Sequence, residues 1–128
     1  MRAALDELLA TASEDEHVVA VLRFGSSLDD PHRARDVDVA VVFDRGTEVA
    51  LDDELTYHRF SSGERNAGLD VSVFRQLPVY VRQRVLAEAE PVCVDDIDEL
   101  YAIAIATVKE YERFRPFHRR YLEAVADG

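Results

Sequence analysis

Residues 17–43, HVVAVLRFGSSLDDPHRARDVDVAVVF, decide how this chain folds. The apolar, β-favouring run from His17 to Phe24 reads as a central strand, because a strand covered on both faces carries no polar alternation. Gly25 stops it. A short helix is expected near Ser26 or Ser27, and the polar DDPHRAR stretch around Pro31 reads as a loop. A second strand follows from Asp36 to Phe43. Strand side chains repeat every two residues, so Val37, Val39 and Val41 share one face while Asp36, Asp38 and Ala40 share the other.

On either side of this unit the elements alternate without a long linker or repeat. A helix over about residues 3–12 carries Leu5, Leu8 and Leu9, and a helix from about Glu48 to Arg59 is expected with Thr47 as its cap. Residues 68–74, GLDVSVF, form a third strand with Asp70 and Ser72 opposite Leu69, Val71 and Val73. A helix from Pro78 to Glu88 and a short strand over Val92–Val94 come next. The last helical segment spans about 97–125, and Pro116 predicts a break near Arg115. The expected architecture is one α/β (α+β) domain over 1–128, a small mixed sheet flanked by helices.

Composition narrows the function. The net charge is −11, from 26 acidic residues against 14 arginines and the single Lys109. Such a surface disfavours direct nucleic-acid binding. Acidic excess with almost no lysine also fits a halophilic, salt-rich cytoplasm, and predicts a fold that gains stability between dilute buffer and molar salt. Lone Cys93 and scattered histidines give no disulfide framework and no zinc spacing, which suits a reducing, cytoplasmic compartment. No apolar run has the length of a membrane span.

The chemistry rests on carboxylates and a glycine turn. Asp36 and Asp38 on one strand, joined by Asp70 on a neighbour, make an oxygen-rich site for a hard cation such as Mg²⁺. Gly25 lets the backbone approach phosphates closely, and Ser26 can donate through its hydroxyl and N–H. Three carboxylates together repel one another unless a metal occupies the site. Arg75 and Arg82 could reach a phosphate or an acidic partner, or balance neighbouring charge.

The run FGSSLDDPHRARDVDVAVVF, with LDVSVF beyond it, resembles the glycine-serine and paired-aspartate signature of the minimal nucleotidyltransferases of the DNA polymerase beta-like superfamily. The downstream stretches LDVSVFRQLPVYVRQRVLAEAEPVCV and YERFRPFHRRYLEAV resemble the antitoxin branch paired with HEPN-domain toxins. The resemblance implies a nucleotidyltransferase fold and Mg²⁺-dependent transfer of AMP from ATP to a tyrosine of the toxin. It also implies roles: Gly25 and Ser26 hold phosphates, Asp36 and Asp38 bind metal, and Asp70 completes the triad and helps to activate the acceptor hydroxyl. Two alternatives stay open, a small-molecule acceptor and an antitoxin that masks its toxin by contact alone.

Overall fold

The computed structural model describes residues 2–25, 37–48, 56–57, 60 and 68–127. Its elements are helix α1 (Arg2–Glu14), strands β1 (Val18–Phe24), β2 (Val37–Phe43) and β3 (Leu69–Val73), helix α2 (Val79–Glu88), strand β4 (Glu90–Val94) and helix α3 (Ile97–Asp127). A 3-10 turn over Phe74–Gln76 joins β3 to α2. The four strands lie in the order β3-β2-β1-β4, with β2 and β3 parallel and both β1 pairings antiparallel. This is the expected mixed sheet between helices.

Each face of the sheet owns a core. On one, Val37, Val39, Val41, Phe43, Leu69, Val71 and Val73 pack with Ala4, Leu8 and Ala12, which recur every four residues along α1. Tyr57 and Phe60, from the β2–β3 crossover, complete this layer. The Tyr57 ring meets Phe43 edge-on at 5.6 Å, and its hydroxyl donates to Asp15 Oδ2 at 2.8 Å, so its polar tip is satisfied. On the other face Val19, Ala20, Leu22, Ala40 and Val42 lie under Phe74, Val85 and Ile103. The register shift between Val18 and Ala20 explains how adjacent Val19 and Ala20 both reach this second core.

Helix α3 starts where Asp96 Oδ1 accepts the Glu99 N–H at 3.0 Å, a side-chain cap, with Asp98 and Glu99 in the first turn complementing the helix dipole. The expected break at Pro116 is absent: α3 runs through it as one 31-residue helix. Proline deprives the Glu112 carbonyl of its partner, but Glu112 and Pro116 are both exposed, so water can take that carbonyl.

Thr47 closes the turn after β2: its hydroxyl donates to Asp44 Oδ1 at 2.7 Å and lies 2.8 Å from His17 Nδ1, while most of the helix it was expected to cap lies outside the described residues. Of the helix expected over 48–59, Thr56 and Tyr57 are helical; Glu48 is not, and most of the rest lies outside the described residues. Strand β4 begins two residues before its expected start, at Glu90. Among the described residues no helix is long and apolar enough to cross a membrane.

Candidate active site

The candidate site forms at the end of β1, where the chain leaves the sheet. Gly25 has φ +87°, a left-handed conformation that side chains resist. A Cβ at Gly25 would collide with Asp38 Oδ2, so the Asp38 carboxylate lies directly against the glycine backbone. Pairing accounts for this: Phe24, the last residue of β1, sits opposite Asp38.

On its other side Asp38 is in register with Asp70 of the parallel strand β3. Neighbouring strands run about 4.8 Å apart, and the apolar residues on either side of each aspartate, Val37 and Val39 around Asp38 and Leu69 and Val71 around Asp70, fill the α1 core, so both carboxylates project from the opposite face. The register is pinned by the Val37 N–H, which donates to the Gly68 carbonyl at 2.5 Å. Gly68, at φ +90°, is a second left-handed glycine, placed just before β3. Asp38 is half-buried and Asp70 exposed, giving a row of Phe24, Asp38 and Asp70 across three strands with a solvent side at Asp70.

Two of the expected metal ligands, Asp38 and Asp70, are therefore brought together, and Gly25 adjoins them. Asp36 and Ser26 lie outside the described residues. Among the described residues no group of three histidine, cysteine or acidic side chains is placed to hold a metal ion. The pair fits Mg²⁺ in kind, because that ion takes one or two carboxylates and fills its octahedron with phosphate oxygens and water.

Beside Gly25 a cavity of about 150 Å³ opens against α2, walled by Phe24, Val81 and Val85, with Arg84 and Glu88 also lining it. Arg84 and Glu88 pair at 3.6 Å across one helical turn. These α2 residues escaped sequence reasoning. Their only signal is the spacing of Val81 and Val85 on one helical face, with the Arg84–Glu88 pair alongside.

Arg75 and Arg82 are committed elsewhere. Arg75 donates to the carbonyls of Thr47 and Asp44 and lies 6.0 Å from the Phe43 ring centroid. Arg82 donates to both Glu110 carboxylate oxygens at 3.0 and 3.1 Å and to the Leu77 carbonyl at 2.9 Å. Both line a larger cavity, about 280 Å³, over Phe43, Phe74 and Ile103 at the far end of β2. There the carboxyl groups are held below the usual range by donors: Asp44 by the Thr47 hydroxyl and then His17, Glu99 by the Arg45 backbone N–H and guanidinium, and Glu110 by Arg82. Burial raises the Cys93 thiol, in keeping with a small apolar role.

Solved structures share this fold. One is a chain of a mutant MntA–HpeT toxin–antitoxin, 15% identical with a TM-score of 0.72 and 98% of each chain covered. Another belongs to a toxin–antitoxin with AMP-PNP, at 17% identity, a TM-score of 0.72 and 97% of each chain. A third is from a tri-AMPylated Shewanella oneidensis HEPN toxin in complex with MNT antitoxin, at 15% identity and a TM-score of 0.68, covering 95% of this chain and 92% of that one. No family model and no curated protein matches the sequence. The mixed sheet and its flanking helices are the nucleotidyltransferase fold.

Proposed function

We propose that this chain is a protein adenylyltransferase: it moves AMP from ATP onto a tyrosine hydroxyl of a HEPN-domain toxin and so acts in the cytoplasm as that toxin's antitoxin. The observation that carries the reading is the in-register pair Asp38 and Asp70 on one sheet face, with Gly25 against the Asp38 carboxylate. The structural neighbours add support, since one is described with AMP-PNP and another with a tri-AMPylated toxin.

In the reaction the acceptor oxygen attacks the α-phosphorus of ATP. A bond from that oxygen to phosphorus forms, the bond to the bridging oxygen breaks, and pyrophosphate leaves. Asp70, on the solvent side of the row, takes the acceptor's proton and passes it to water. Asp38 and Asp70, with Asp36, would hold Mg²⁺, which would lower the pKa of the attacking hydroxyl and offset charge developing at phosphorus. Gly25, without a side chain, lets the backbone approach phosphate oxygens closely, and Ser26 would add a hydroxyl.

Intact-mass measurement of the toxin after incubation with ATP and Mg²⁺ tests this. A gain of one or more AMP units, lost in the Asp36→Ala/Asp38→Ala double variant, is expected. A second reading, masking by contact, draws on the exposed apolar residues of α3. Unchanged toxin mass together with full inhibition by the double variant would select masking and overturn transfer.

A further inference from the structure

We propose that the C-terminal half of α3 is a docking surface for an amphipathic helix with acidic flanks, carried by a partner protein. Only the first half of α3 is anchored in the body, where Ile103 and Thr107 are buried. Phe114 stacks on Tyr80 at 6.3 Å, and beyond it the apolar face continues without cover. Phe117 and Tyr121 are both 66% exposed, with Leu122 and Val125 beside them at 52% and 61%. At 1.5 Å per residue, the stretch from Phe114 to Asp127 runs for about 20 Å. A groove of about 540 Å³ lies among Tyr80, Phe114, Phe117, Tyr121 and Leu122.

The spacing of the face names the shape of its occupant. Phe114, Phe117, Tyr121 and Val125 recur at intervals of three, four and four, which keeps them on one narrow seam of the kind another helix fills. The flanks name its charge. At 100° per residue, Arg113 and Arg120 fall on one side of the seam and Arg115 and Arg119 on the other. All four are exposed, and residues 113–122 contain no acid, in a chain whose net charge is −11.

Basic flanks on both sides exclude a second copy as the natural occupant, because either helix direction would set arginine against arginine. An anionic membrane is disfavoured by the acidic body attached to the same helix. A helix with glutamate or aspartate on its flanks meets both requirements.

The probe is a pair of labelled synthetic helices sharing one Leu/Ile seam, with glutamate flanks in one and lysine flanks in the other. Fluorescence anisotropy with the full chain is expected to give at least about tenfold tighter binding of the acidic helix, weakening with salt. Phe117→Asp/Tyr121→Asp should lose that binding with an unchanged melting temperature, since both side chains are exposed. Arg113→Glu/Arg115→Glu/Arg119→Glu/Arg120→Glu should reverse the preference. Equal binding of the two helices, binding of neither, self-association of the chain in sedimentation, or capture on phosphatidylglycerol vesicles would each overturn the proposal. None of these readouts needs nucleotide or Asp38, so the transfer reading and this one can fail separately.

Discussion

The two ends of β2 treat their carboxylates in opposite ways. At the Phe43 end, Asp44 is met by Thr47 and His17, and Glu99 by Arg45, while Arg75 gathers the carbonyls of Asp44 and Thr47. At the other end Asp38 stands in register with a second acid, Asp70, and a left-handed glycine lies against it. Like charges in register on neighbouring strands repel, which a bound cation would offset. An in-register pair of acids beside a left-handed glycine is a departure from local preference of the kind that accompanies ligand sites, and it supports the site proposed there.

The sharpest way to break the comparison is Asp38→Ala. Transfer of AMP, read by the mass of the acceptor, should fall on the order of 10²-fold or more while the chain stays folded. Retained transfer would remove the site from this end of β2. Next comes Gly25→Ala, which sets a side chain at φ +87° against the Asp38 carboxylate. The left-handed conformation alone should cost about 1–2 kcal/mol in urea unfolding, with transfer impaired as well.

Asp44→Asn probes the opposite end. Loss of a charge-assisted hydrogen bond should cost about 1–2 kcal/mol at neutral pH and leave transfer unchanged. Its folded pKa lies below the unfolded one, so its stabilisation is present above the ordinary carboxylate range, near pH 4, and is lost as pH falls through the depressed value. Glu99 and Glu110 act in the same sense. Melting temperature in the wild type should therefore drop on acidification below about pH 4, and Asp44→Asn should flatten part of that drop. The smallest effect separates the ends most clearly. Asp70→Asn relieves like-charge contact and should raise stability by a few tenths of a kcal/mol while abolishing transfer. A destabilised Asp70→Asn chain would argue that the acid is structural.

Much of the site was legible because strand phase is a local property. The alternation around Asp38 and around Asp70 placed both acids opposite their valines, as the two cores bear out. Gly25 was readable as the stop after an apolar run. Pro116 misled, since the penalty of proline in a helix depends on whether the orphaned carbonyl reaches water, which a sequence does not state. The Arg84–Glu88 pair beside Gly25 could not be foreseen, because α2 meets the end of β1 only through packing around Val85.

By itself the sequence determined which faces of the strands are apolar and where β1 must stop, since both follow from period-two alternation and from glycine's lack of a side chain. Tertiary structure alone decided that Asp38 and Asp70 stand in the same row. Parallel register between strands some thirty residues apart is fixed by long-range contacts such as Val37 N–H to the Gly68 carbonyl, and no local pattern encodes it.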